Sequence, residues 1–174
     1  MHSNKVHIGI FHTLHNEVKN YLKRKISNMS NVTFDFFPRI TKSLNITPEM
    51  ENTLQKSDIL LGFHFPSEWL LKAQNLKLII SPFAGVKPLV RSLNKIKNRD
   101  SSFNDVILTN SHGNAKFVAQ HAIAILFSIT NKIIHHHKQM ERGIWHFKQE
   151  KQETIPIFGK TIGLLGYGHI NQYV

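Results

Sequence analysis

Cysteine is absent from the chain, which excludes disulfide staples, thiolate nucleophiles and cysteine-held metal sites. Long hydrophobic runs are missing too, and no apolar stretch approaches the ~18 residues a membrane span needs. Acidic residues are few: 11 Asp and Glu stand against 22 Lys and Arg, for a formal net charge of +11. A phosphoacceptor domain would need an acidic cluster at its strand ends. Here Asp35 and Asp58 fall within or before strand patterns, and no such cluster forms. What is present is ordinary for a globular chain: 41% of the 174 residues are hydrophobic and 19% charged. The opening residues lead straight into an apolar strand pattern, without a signal-peptide core or an Arg-rich transit segment, so a cytoplasmic protein is the default expectation. The basic residues are dispersed, and the densest run, Lys23-Arg24-Lys25, closes an amphipathic helix where cations suit the dipole. No nucleic-acid motif accompanies them, so neither a nucleic acid nor a membrane is expected as partner.

Short apolar runs alternate with helical segments over the first 110 residues. Val6–Phe11, Val32–Phe37, Asp58–Phe63, Leu78–Ser81 and Val106–Thr109 read as strands. Asn16–Ile26 carries Val18, Leu22 and Ile26 at helical spacing. Thr47 and Pro48 form a helix start, Pro66 opens another helix, and Val86–Ile96 is a fourth. Such alternation implies a parallel sheet covered on both faces. The polar stretch from Lys95 to Asp105 reads as a loop. Asn110 to Asn114 is a turn cluster, and a single long helix is expected from Ala115 to about Arg142. Its first part is apolar nearly all round and is expected to be buried. Gly143 ends it, and Lys148 to Glu153 reads as a charged surface segment.

The tail carries the chemistry. Gly159-Lys160 is a turn, Thr161–Leu165 reads as an apolar strand, and Gly166-Tyr167-Gly168-His169-Ile170-Asn171 reads as a tight turn opening a helix. Strand, Gly-x-Gly, then helix is a recipe for holding a pyrophosphate: the glycines allow a sharp turn and close backbone approach, and the helix start offers free N–H groups. The third position of that fingerprint, normally glycine, is Asn171, which is expected to loosen the turn. On the motif alone a plain strand-to-helix turn fits equally well. A domain does not normally end in the first turns of a helix, so the chain reads as a fragment or truncated product. The tract His135-His136-His137 invites a metal reading with His146. Consecutive helical residues do not share a face, however, and no metal site is expected.

From Leu76 to Val174 the sequence resembles the D-isomer-specific 2-hydroxyacid dehydrogenase family, which includes phosphoglycerate, glyoxylate/hydroxypyruvate and formate dehydrogenases. Three stretches carry the resemblance. Leu76 to Ser81 with Ala84-Gly85-Val86 looks like the strand and loop that close the family's first lobe. Asn110 through Val118-Ala119-Gln120-His121-Ala122 looks like its helix start. Gly143-x-Trp145, then Gly159 to Gly163 and Gly166 to Ile170, look like its G-x-W segment and nucleotide turn. Lys87 and Gln120 stand where the family has Asp and Glu, which puts local salt bridges in doubt but not the fold.

The resemblance implies an α/β fold: a flavodoxin-like substrate lobe over 1–110, then a long linking helix and the first strand and turn of a truncated Rossmann lobe over 111–174. It implies a fragment of an NAD(P)-dependent oxidoreductase acting on the CH–OH group of small D-2-hydroxy acids or on 2-oxo acids, with NAD or NADP as cofactor. By the family's order the catalytic Arg, acid and His are expected beyond residue 174, and the chain alone is expected to be inactive. The backbone at Ala84, Gly85 and Val86 is expected to face the substrate carboxylate, although Gly85 could equally serve only a turn. Gly166, Tyr167, Gly168, His169 and Ile170 are expected at the cofactor. Val118 is expected near the nicotinamide or, as readily, in the core. His64 follows the third strand, where ligands line open α/β sheets, so it is either a substrate contact or a solvated loop residue. A homodimer is expected for the full-length form. The competing reading is a non-enzymatic flavodoxin-like binding or regulatory module.

Overall fold

Five short runs of β-branched and aromatic residues pair into one parallel sheet. In the computed structural model, which describes residues 5–41, 44–145 and 154–174, they are β1 (Val6–Phe11), β2 (Val32–Phe37), β3 (Ile59–Gly62), β4 (Leu78–Ile80) and β5 (Ile107–Thr109). The strand order is β2-β1-β3-β4-β5, the flavodoxin-like order that places a topological switch between β1 and β3. The helices between them are α1 (Asn16–Ile26), α2 (Pro48–Lys56), α3 (Ser67–Leu70) and α4 (Lys87–Lys97). Local chemistry starts α2: Pro48 sits in the first turn and the Thr47 hydroxyl accepts from the Met50 N–H at 3.3 Å.

The α-carbon trace divides into two units, Met1–Ser111 and His112–Val174. In the first, register places His7, Gly9, Phe11, Leu60, Gly62, Ile79 and Ser81 on one sheet face. That face is the core. Phe11, Leu60 and Ile79 are buried there with Leu54 of α2, Trp69 and Leu70 of α3, and Leu89, Leu93 and Ile96 of α4. Phe11 stacks on Phe37 at 5.0 Å and meets Phe65 edge-on at 5.4 Å. Gly9 and Gly62 are bare because the core occupies the space: a Cβ on Gly62 would stand 2.8 Å from Phe65 and 3.2 Å from the Phe11 carbonyl. The opposite face is thinly covered, α1 buries no residue fully, and Ile107 is 64% exposed. Both faces covered was the expectation; the second face does bury Ile10, at 4% exposed, but covers its other strand residues less completely than the first. The expected loop from Lys95 to Asp105 is also more ordered than a loop. It holds the end of α4 and a 3-10 turn, Ser101–Phe103, that buries Phe103.

In the second unit the expected single helix is two, α5 (Ala115–Thr130) and α6 (Ile133–Glu141), bent by 57°. The break has a local cause. Thr130 Oγ1 donates to the Leu126 carbonyl at 2.9 Å and Asn131 Nδ2 to the Phe127 carbonyl at 3.0 Å, so side chains compete for the helix's own acceptors. Lys132 follows with φ +53. The expected burial of α5 is corrected as well: only Ala115, Ala119 and Thr130 are buried, while Phe117 is 72% and Ile129 61% exposed. No single described helix is long and apolar enough to cross a membrane; α5 and α6 pass that test only as a bent pair.

The expected strand Thr161–Leu165 and the helix after it do not form. A strand needs a neighbour for its N–H and C=O groups, and no described residue pairs with this one. The segment is exposed throughout. The charged stretch Lys148 to Glu153 and His146 lie outside the described residues.

Candidate functional site

The carboxyl ends of parallel strands form the ligand edge of an open α/β sheet, and the first unit gathers its distinctive side chains there. The loop after β4 is built by Ser81, fully buried, whose hydroxyl donates to the Phe83 carbonyl at 3.0 Å and accepts from the Phe83 N–H at 3.3 Å. Asn110 Nδ2 donates to the Ala84 carbonyl at 2.9 Å, tying this loop to the end of β5. Ala84 and Gly85 are exposed, and Val86 is half-buried as the residue that precedes α4. Gly85 has no positive φ, and a Cβ on it would meet nothing within 4 Å. Neither turn geometry nor packing demands glycine there. The bare backbone leads directly into the amino end of an 11-residue helix whose first turn contains no acid.

Beside it is an open hollow of about 460 Å³ lined by Arg39, Ile40, Thr41, Phe63, His64 and Pro88. The Arg39 guanidinium lies 4.4 Å from the Phe63 ring centroid and 5.9 Å from that of Phe83. The Arg39 N–H donates to Thr13 Oγ1 at 3.3 Å, joining the loops after β1 and β2. His12 meets Phe83 edge-on at 5.5 Å. Burial first, and then the Arg39 charge, hold the His12 imidazole below its ordinary value of 6.5, which favours its neutral form. His64 is half-buried, not a fully solvated loop residue, and its Nδ1 is buried without a hydrogen-bond partner. Arg39, His12 and Phe83 escaped the sequence reading. The strand-end rule that singled out His64 after β3 applies equally to His12 after β1 and Arg39 after β2.

A second polar group, at the amino ends of the strands, is structural. His7 Nδ1 lies 2.8 Å from Thr33 Oγ1 and its Nε2 3.3 Å from Asp35 Oδ2. Asp35 also accepts from Thr53 at 2.7 Å and from Lys56 at 2.8 Å. Asp58 ties β1 to β4 through the His7 N–H at 3.0 Å and Lys77 Nζ at 2.7 Å.

In the second unit Gly166 has φ +86, a conformation that favours glycine, whereas a Cβ on Gly168 would meet nothing within 4 Å. Asn171 closes the turn instead of loosening it: its Nδ2 donates to the Gly166 carbonyl at 2.8 Å and approaches that of Leu165 at 3.4 Å. Tyr167 and Ile170 are exposed, and His169 stacks face to face on His112 at 3.9 Å. The turn thus requires glycine at 166 and leaves open space at 168, and among the described residues no helix follows it. Val118 is 38% exposed on the first turn of α5 and is not a core residue. Among the described residues no three metal-ligating side chains converge, and His137 faces Glu141 at 3.5 Å along α6.

The fold and this edge define a doubly wound α/β lobe of the kind that binds small ligands at its strand ends. No family model matches the chain. D-3-phosphoglycerate dehydrogenase of Mycobacterium leprae (strain TN) is 29% identical over 138 residues, covering 79% of this chain and 24% of that protein. Two solved structures, the D-isomer specific 2-hydroxyacid dehydrogenases of Lactobacillus delbrueckii ssp. bulgaricus in its NAD complexed form and of Xanthobacter autotrophicus Py2 in complex with NADPH and MES, each superpose with a TM-score of 0.64. Each is 15% identical and covers 97% of this chain and 48% of its own, a likeness of fold. Homologues and structural neighbours of the chain are thus D-isomer-specific 2-hydroxyacid dehydrogenases, of which it spans about half the length or less.

Proposed function

We propose that the chain supplies the substrate lobe and the phosphate-holding turn of an NAD(P)-dependent oxidoreductase acting on small D-2-hydroxy acids or 2-oxo acids. The observation that carries this reading is the loop Ala84-Gly85-Val86. It stands at the carboxyl end of β4, is pinned from Ser81 and Asn110, and is bare at Gly85 for no local reason. Backbone N–H groups there and the start of α4 offer donors to a carboxylate, and Lys87 at the head of that helix adds positive charge. His64 lines the hollow beside the loop and contacts the rest of the substrate.

The nicotinamide supplies or accepts a hydride when bound. The backbone of Gly166 to Ile170 would hold its phosphates, with Val118 exposed for the cofactor to cover. The groups that hold the second substrate contact and transfer the proton are assigned by family order beyond residue 174. The 174 residues alone are therefore proposed to bind small acids without turning them over. The full-length form is proposed to be a homodimer, joined through the apolar side chains that α5 exposes at Phe117, Ile125 and Ile129. Light scattering that finds a full-length monomer would count against the dimer.

The direct test is to titrate the ¹⁵N-labelled chain with glyoxylate and pyruvate. The expected result is shifts at the amides of residues 84–86, weakened about tenfold or more by Gly85→Val, which covers the donors. Shifts of the same size in the variant, or none in either, would leave the non-enzymatic binding module as the better reading. NADH and NADPH fluorescence, followed through a 2-oxo acid assay, checks the negative half: turnover by the 174-residue chain overturns the assignment of the proton-transfer groups.

A further inference from the structure

The hollow at the strand ends contains a cation that the carboxylate loop does not use. Arg39 follows β2, and its guanidinium is held over Phe63 at 4.4 Å with Phe83 5.9 Å away. Among the described residues no carboxylate pairs with it. The ion pairs of the first unit engage Lys56, Lys72, Lys77 and Lys95 instead. A guanidinium that lies over a ring and meets no carboxylate has N–H donors that match a carboxylate or phosphate in two parallel bonds. The rest of the lining carries no carboxylate: Ile40, Thr41, Phe63, His64 and Pro88. Phe83 connects the two places, since it lies against Arg39 and stands just before Ala84 in the pinned loop.

We propose that Arg39 binds a second anionic group of the substrate, remote from its reacting carbon, so that the site selects dianionic small acids over monoanionic ones. This rests on the reading that residues 84–86 hold the first carboxylate. The shared chemistry is an anion of two or three oxygens on a short aliphatic chain; a carboxylate and a phosphono group both provide it. His12 takes part indirectly. It faces Phe83 beside Arg39, and its neutral form adds no competing charge to the site.

The test uses the whole chain and three probes: acetate, succinate and 3-phosphonopropionate. Each is titrated into the wild type, Arg39→Gln and Arg39→Lys, with affinities from calorimetry and amide shifts read at residues 84–86. Arg39 is exposed, so the variants are expected to keep the wild-type circular dichroism and melting profile. The expected result is that one or both dianions bind roughly 10- to 100-fold more tightly than acetate, as charge-assisted bonds allow. Arg39→Gln removes that advantage, Arg39→Lys restores part of it, and acetate affinity stays unchanged throughout. The tighter of succinate and 3-phosphonopropionate identifies the group. Dianions no tighter than acetate, or an advantage that survives Arg39→Gln, overturns the proposal. The underlying reading fails separately. An Arg39-dependent preference without shifts at 84–86 keeps the Arg39 site and discards the carboxylate loop. Shifts at 84–86 without that preference keep the loop and discard Arg39.

Discussion

The two units use similar residue types to opposite effect. In the first, Phe11, Leu60, Phe65, Ile79 and Leu89 are buried almost completely between one sheet face and three helices. In the second, Phe117, Ile129, Phe158 and Leu165 are 61–102% exposed. Hydrophobic character is therefore not what separates the units. The first has a set of parallel neighbours that satisfies every central strand, so its apolar side chains interdigitate. The second has helices and an extended tail that leave most of their large apolar side chains exposed. Burial is a property of the neighbours, and a sequence window reads only the residue.

The sharpest way to break that comparison is to remove matching side chains from the two units. Phe11→Ala empties a position packed by Phe37, Phe65 and Trp69, and is expected to cost about 3–5 kcal/mol. Gly62→Ala, which forces a Cβ against Phe65 and the Phe11 carbonyl, is expected to cost about 1–3 kcal/mol. Phe117→Ala in α5 is expected to stay within about 0.5 kcal/mol. Urea unfolding followed by circular dichroism measures all three. A Phe117→Ala loss comparable with that of Phe11→Ala would show that α5 is packed in solution, and the contrast between the units would collapse.

A smaller effect separates the units by pH. Burial first, then the Lys56 charge, hold His7 below its ordinary 6.5, against the opposing pull of Asp35. The unfolded chain then takes up a proton that the folded chain resists. Stability is complete above pH 6.5 and falls as pH drops from 6.5 to the folded value. For Asp35 and Asp58 burial pushes the carboxyl up, but hydrogen bonds outweigh it: from Lys56 and Thr53 to Asp35, and from Lys77 and the His7 N–H to Asp58. Both stand below 3.8, so their contribution is present above 3.8 and lost as pH falls through the folded values. Urea midpoints against pH are expected to show two descending steps in the first unit. His7→Asn should remove only the upper step; an unchanged upper step in that variant would assign it to another group.

Much of the first unit was legible in the sequence because its signals are local and mutually consistent. The runs at Val6, Val32, Ile59, Leu78 and Ile107 are short, apolar and bounded by turns or helix starts, and all five form strands. The tail was misread for the complementary reason. Thr161–Leu165 has a strand's composition, but a strand exists only when another pairs with it. The break at Lys132 was hidden because the competing bonds come from Thr130 and Asn131, ordinary polar residues in an otherwise helical pattern. In the proposed site, Ala84 to Val86 was singled out through a spaced motif. Arg39 was not: one arginine among 22 basic residues has no spacing signal, and only the folding of β2 beside β1 brings it against Phe63.

The smallest expected effect concerns Asn171, where the usual nucleotide fingerprint has glycine. Absence of that glycine suggests a looser turn, yet the Asn171 amide reaches back five residues to the Gly166 carbonyl at 2.8 Å. Gly166 at φ +86 turns its carbonyl toward a donor that glycine at position 171 could not provide. Asn171→Gly is therefore expected to loosen the turn, at a cost near the lower end of the ~0.5–1.5 kcal/mol typical of a hydrogen bond, because the site is exposed. Global unfolding would not resolve so small a change. Backbone ¹⁵N order parameters at residues 165–168 would, and they are expected to fall in Asn171→Gly and hold in Asn171→Gln only if the longer side chain still reaches the carbonyl. Order parameters unchanged by Asn171→Gly would mean that Gly166 alone sets the turn. The Gly166 turn would then owe its shape to backbone conformation, while the first unit owes its loops to side chains such as Ser81 and Asn110.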